Sequence, residues 1–200
     1  METLLNALSS FLDADEATDE LAEVLSLLSE KGHVSYSDVA QVCPGRTEDV
    51  ILIGWKWRLM LPIRSSRCSE WDDRILSVRT GEVYEMPNVA RYLVKNAIGT
   101  GEWDSYSAVT DLYRVMGNPA WQQMAHLVER ICDRVVDSSI DARDIGAVCR
   151  DLGLGDRVDS LIAVLKGGGV ISPKLLPLAE VTRKGVPIYE VNPCLFPQKG

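Results

Sequence analysis

Two hundred residues, 46% hydrophobic and 25% charged, describe a folded globular chain long enough for one ordinary domain or two small ones. Charges interrupt every apolar stretch before the roughly 18 residues a membrane-spanning helix needs, and METLLNALSSFLDADE has no basic leader, so a cytoplasmic protein with no membrane contact is expected. The formal charge of −8 comes from one end: eight of the 29 acids lie in residues 1–30, which hold no Lys or Arg, and the other 170 residues carry 21 acids and 21 bases. An acidic pI of this origin does not by itself exclude a nucleic-acid partner.

The first element is read from Leu4, Leu5, Leu8, Phe11 and Leu12, one apolar stripe of an amphipathic helix over residues 1–14. It is expected to pack on its own chain, with a part in a homodimer as the alternative. Next, ATDELAEVLSLLSEKG carries Leu21, Val24, Leu25 and Leu28 at helical spacing and stops at Gly32. A short strand at His33-Val34 leads to a helix over 37–43, ended by Pro44-Gly45. A third helix is expected over 47–60, with Thr47 as N-cap and Glu48 and Asp49 in its first turn. The strand LPI and a hairpin, RILSVR-TG-EVYEM, close this block. Two helices, 87–99 and 105–117, follow as a linker. Asn118-Pro119 is then read as the opening of a helix striped by Met124, Leu127, Val128 and Ile131. Helices near 141–152 and 156–166, the strand VIS after Gly167-Gly168-Gly169, and a hairpin turning at Lys184-Gly185 complete the chain.

This order of elements occurs twice. VSYSDVAQVC (34–43) aligns with IDARDIGAVC (140–149) at an offset of 106, and VRTGEVYEMPN (78–88) with TRKGVPIYEVNP (182–193) at 105. Between them, LMLPI (59–63) aligns with GVISP (169–173) at 110. Helix, strand, helix, helix, strand, strand resembles the winged helix-turn-helix superfamily, here in two tandem copies over about residues 15–87 and 118–196. The resemblance rests on element order and repetition. It implies a mostly α fold with small β-hairpins (α+β): an N-terminal helix over 1–14, winged helices over 15–87 and 118–200, and a helical linker over 88–117.

Little in the chain suggests catalysis. His33 and His126 have no Cys, Asp or Glu at metal-ligand spacing and read as structural or surface histidines. Five cysteines (43, 68, 132, 149, 194) without C-x-x-C predict reduced thiols and neither a disulfide framework nor a zinc site. Cys43 and Cys149 hold equivalent repeat positions and read as small buried apolar residues, whereas Cys68 follows Arg64 and Arg67, cations that favour a thiolate. LKGGGVIS precedes a strand where a phosphate cradle precedes a helix, and Asp72-Asp73 and Asp13-Asp15-Glu16 read as solvated faces. No catalytic residue, metal, cofactor or small-molecule substrate is expected.

Binding is the remaining class, and helix 47–60 decides its kind. A DNA-reading helix turns Arg, Lys, Asn, Gln, Ser or Thr outward. Here Val50, Ile53, Trp57 and Met60 suit the core, and a second stripe of Leu52, Trp55 and Leu59 faces elsewhere, as a protein contact would. In the second copy Asp156, Asp159 and Ser160 dominate the polar face of the corresponding helix, with Arg157 and Lys166 near its ends. A protein–protein adaptor or regulatory module, or a homodimer, using Leu52, Trp55 and Leu59 is therefore the leading expectation. The alternative is a DNA-binding regulator that sets Lys56, Arg58, Arg64, Arg67, Arg74 and Arg79 against duplex phosphates.

Overall fold

A computed structural model of the chain describes residues 2–12, 17–63, 71, 76–174 and 185–197. Helix α1 (Glu2–Leu8) buries Leu4, Ala7 and Leu8, and Phe11 and Leu12 continue the same apolar face beyond it. That face is covered by the chain's own α2 (Thr18–Lys31) and α5 (Asn88–Thr100). The Thr3 hydroxyl also donates to the Ile98 carbonyl at 2.7 Å. Gly32 ends α2 in the left-handed conformation that glycine reaches without steric strain.

The first repeat runs α2, β1 (His33–Ser35), α3 (Tyr36–Val42), α4 (Thr47–Lys56), β2 (Leu61–Pro62) and β3 (Val83–Glu85). α5 and α6 (Ser105–Val115) form a helical pair. The second repeat is α7 (Trp121–Cys132), β4 (Ser139–Asp141), α8 (Ala142–Asp151), α9 (Val158–Gly167), β5 (Ile171–Pro173) and β6 (Ile188–Val191). The structure is thus α+β, with two small antiparallel sheets ordered β1-β3-β2 and β4-β6-β5.

The two sheets share one register. Val34 opposes Tyr84 as Ile140 opposes Tyr189, and His33 opposes Glu85 as Ser139 opposes Glu190. Pro62 opposes Tyr84 as Pro173 opposes Tyr189, so the second strands correspond at an offset of 111, not the 110 of the sequence alignment. The entries to α3 and α8 also correspond. The Ser35 Oγ accepts from the Asp38 N–H while the Asp38 carboxylate accepts from the Ser35 N–H (2.8 Å), and the Asp141 carboxylate accepts from the Arg143 and Asp144 N–H groups. The Ser35 hydroxyl, which donates to the Asp38 carboxylate at 2.6 Å, and then the Ser35 N–H hold that carboxyl down at about 2. One buried apolar cluster runs from Leu4 through both repeats to Leu195.

Several local expectations are corrected. Asn118 does not cap α7: its carboxamide oxygen accepts from the Ala120 N–H in a turn, and the helix begins at Trp121. Arg46 occupies the N-cap of α4, while the Thr47 hydroxyl turns inward to donate to the Cys43 carbonyl. The strand paired with β3 from the wing side is Leu61–Pro62, and the described residues 76–78 of the expected RILSVR strand are irregular. The expected turn at Thr80-Gly81 is present, with the Glu82 N–H donating to Arg79 O. The turn expected at Lys184-Gly185 lies partly outside the described residues.

The largest correction concerns α4, which stops at Lys56 rather than at residue 60. The Leu59 and Met60 N–H groups both return to the Gly54 carbonyl (2.8 and 3.0 Å), and Arg58 takes φ 52. A chain reversing this tightly needs room on the helix. Gly54 supplies it, since a Cβ there would lie 2.8 Å from Met60 Sδ. The reversal carries Leu59 into the core, fully buried, beside Met60 and Leu61.

Candidate protein-interaction surface

The outward face of α4 carries Glu48, Asp49, Leu52 and Lys56, all exposed, with Trp55 half-buried at its edge. Leu52, at 49% exposure, is the one apolar side chain of α4 that is largely in water. Of the expected stripe, Leu52 and Trp55 therefore lie together on one side. Leu59 does not join them, because the left-handed turn at Arg58 directs it inward. Val50 and Met60 are buried and Ile53 and Trp57 pack against the core, as their spacing implies; Ile51, assigned to neither stripe, is also fully buried.

The expected nucleic-acid contacts are dispersed. Arg58 is turned inward: its Nη2 lies 3.1 Å from the Glu190 carboxylate, Nη1 donates to Trp55 O at 2.9 Å, and the guanidinium carbon sits 4.5 Å from the Trp55 ring centroid. With side chains only 15% and 12% exposed, Arg58 and Glu190 tie α4 to β6 and leave no guanidinium for phosphate. The assignment of Arg58 to a phosphate contact is thus corrected by its geometry. Lys56 is exposed beside the Trp57 ring, and Arg79 is 76% exposed with Nε 3.6 Å from Glu82. Arg64, Arg67 and Arg74 lie outside the described residues, as do Cys68, Asp13-Asp15-Glu16 and Asp72-Asp73. Elsewhere cations face acids: Arg46 approaches Glu20 and Asp49, Lys31 meets Asp38, and Arg134 meets Asp151. On the second repeat Asp156 and Arg157, just before α9, and Asp159 and Ser160 in its first turn are exposed.

The groups with chemical potential are separated. His33 is exposed, and His126 lies on the surface near Tyr106 and Glu129. Cys43 and Cys149 are buried at equivalent positions, and burial raises both thiols. Burial also pushes Cys132 up to about 12, which keeps it a protonated, unreactive thiol. Among the described residues no three His, Cys, Asp or Glu side chains gather as a metal site would need. No described helix is long and apolar enough to cross a membrane.

A groove of about 810 Å³ opens where the end of α4 meets the second repeat. Trp57 and Lys56 form one wall; Cys132, Asp133 and Val135, the turn residues Asp137 and Ser138, and Pro193, Phe196 and Pro197 complete it. Phe11 fixes Trp57 from behind, with ring centroids 5.0 Å apart. Sequence reasoning missed this groove, because its walls come from residues far apart in the chain. The available signal was NPCLFP (192–197), an apolar run with no helical or strand period.

A protein-family model, of a family with no stated function, matches residues 6–198. Neither a curated protein nor a solved structure matches the chain.

Proposed function

The chain belongs to that family along almost its whole length, and from this premise we propose that it is a non-enzymatic binding protein, a regulatory adaptor built from two tandem winged helices. The repeated order of helices and strands and the common sheet order support the winged-helix reading. In that architecture α4 and α9 occupy the place of the reading helices, which in DNA-binding members present donors to base edges.

One observation carries the choice of partner. The outer face of α4 offers Glu48, Asp49 and Leu52, and its end invests Arg58 in an internal ion pair with Glu190. Carboxylates at the start of the helix would repel phosphate, whereas a half-exposed leucine beside a half-buried tryptophan suits a protein contact. Leu52 and Trp55 are then the centre of the contact, with Glu48, Asp49 and Lys56 as its polar rim.

The test compares the wild-type chain with Leu52→Asp for recovery of bound proteins and for self-association by sedimentation. A half-exposed site tolerates the change, so the unfolding free energy stays within about 1 kcal/mol of wild type, the loss coming from helix propensity and the nearby Glu48 and Asp49. Loss of a specific protein, or of a dimer, at this near-wild-type stability is the expected result. An identical set of bound proteins and an identical mass for the variant would overturn the proposal. The second reading, duplex binding through Lys56 and Arg79, draws on the exposure of both side chains. It requires binding to generic duplex DNA that weakens steeply with salt.

A further inference from the structure

We infer that the groove between the two repeats receives an extended peptide segment, which sets a lysine or arginine against Asp133 and Asp137 and an apolar side chain between Trp57 and Phe196. The inference rests on the protein-interaction reading and adds a second, separate contact with a stated chemistry.

The walls define the occupant. Trp57, Pro193, Phe196 and Pro197 supply apolar surface, and the two prolines have no N–H to offer a ligand. The aromatic side chains can flank an apolar residue and also favour a nearby cation. Charge enters from the α7 side. Asp137 is exposed and has no basic partner among the described residues. Among the described residues Asp133 pairs with Arg130, at 3.6 Å with both side chains more than half exposed, a pair that an incoming cation can replace. Lys56 stands on the opposite wall, which orients the cation of the occupant toward α7. At about 810 Å³ the groove falls within the range of roughly 300–1,000 Å³ typical of ligand sites.

The corresponding contact on the other side of the molecule indicates how such a site is filled. There the end of α9 meets Pro87 and Asn88, and only about 170 Å³ remains. Trp71 lines that space as a buried side chain, and its backbone N–H donates to Ser172 Oγ at 2.8 Å. Among the described residues, the chain's own Trp71 lines the smaller space, and the larger opening lies on the other side.

The probe is the blocked peptide acetyl-Gly-Leu-Arg-Leu-Gly-amide, compared with analogues carrying Gln or Glu in place of Arg. Binding is read from the indole N–H resonances of the ¹⁵N-labelled full-length chain, with that of Trp57 assigned by Trp57→Phe. The arginine peptide should shift the Trp57 signal saturably. The Gln analogue, and the arginine peptide with the Asp133→Asn/Asp137→Asn variant, should each bind about fivefold more weakly, as expected for two partly solvated ion pairs. The Glu analogue should bind more weakly still. Equal affinity for all three peptides, or no saturable shift at Trp57, overturns the inference. A partner lost on Leu52→Asp while the peptides fail removes the groove and keeps the α4 contact; a groove that binds while Leu52→Asp changes nothing does the reverse.

Discussion

The turn after α4 and the turn after α9 hold equivalent places in the two repeats, yet they meet the opposite repeat in different ways. After α9 the left-handed position is Gly169, φ 71, and a Cβ there would lie 3.0 Å from Pro87 Cβ and 3.3 Å from Asn88 N. The backbones come close enough for the Val89 N–H to donate to Gly168 O at 2.9 Å and for the Asn88 side chain to reach Gly167 O. After α4 the same position is Arg58, φ 52, and its long side chain spans to Glu190. A glycine makes a close backbone seam; an arginine makes a propped one. The larger groove lies on the propped side, beside Trp57.

The comparison can be broken most forcefully at Gly169. Gly169→Ala adds a left-handed alanine and a close contact with Pro87, and should cost about 3 kcal/mol in denaturant unfolding. Gly153→Ala is the control, since it shares φ 71 but meets nothing within 4 Å; it should cost only about 1 kcal/mol. Equal losses at the two sites would show that the seam at Pro87 is not tight.

The propped seam responds differently. Glu190→Gln leaves the Arg58 guanidinium little exposed beside a neutral amide and should cost about 2 kcal/mol. Arg58→Gly also removes the ion pair, but it relieves the left-handed backbone and the Arg58 Nε, which is buried with no acceptor among the described residues. Its net cost should be about 1 kcal/mol. Thermal or urea unfolding that ranks Arg58→Gly as the more damaging change would contradict this account of the turn.

A smaller difference separates the caps of the two repeats. Asp38 is held at about 2 by its hydrogen bonds to Ser35, below its ordinary 3.8. A depressed carboxyl stabilises the fold above the unfolded value and loses that contribution as pH falls from about 4 toward 2. The carboxylate is a third exposed, so the contribution is about 1 kcal/mol. In Asp38→Asn the part of the acid-induced loss that comes from this group should disappear, as followed by unfolding midpoints between pH 5 and pH 2, about the range over which it titrates.

The smallest expected effect is a gain. Asp137 and Ser138 both take positive φ (48 and 57) in the turn that bridges Val136 to Ser139. Ser138→Gly should add about 0.5–1 kcal/mol of stability. A loss on this substitution would mean that the serine side chain supports the turn.

The repeats were readable because their cues are local. VSYSDVAQVC and IDARDIGAVC sit in the same register of the two sheets, and of the expected stripe Leu4, Leu8, Phe11 and Leu12 are buried while Leu5 is half-buried. The α4 end was not readable in the same way. A left-handed arginine carries no sequence signal comparable to glycine, so residues 57–60 looked like continuing helix and Leu59 like a surface residue. Arg58 looked like a phosphate ligand because its partner, Glu190, lies 132 residues away. The groove was hidden for the same reason, as Trp57 and Phe196 share no local pattern. Leu52 and Trp55 remained legible because both lie within α4 itself, where helical spacing governs orientation.

Site-specific photo-crosslinking from position 52 tests most directly whether the outer face of α4 meets protein or nucleic acid. A photoreactive phenylalanine analogue replaces Leu52 in the full-length chain, and the adducts formed in the native cell are separated by their sensitivity to protease and nuclease. A discrete, protease-sensitive protein adduct, absent when the probe is moved to buried Leu59, is the expected result. A nuclease-sensitive adduct at position 52 would contradict the proposed function.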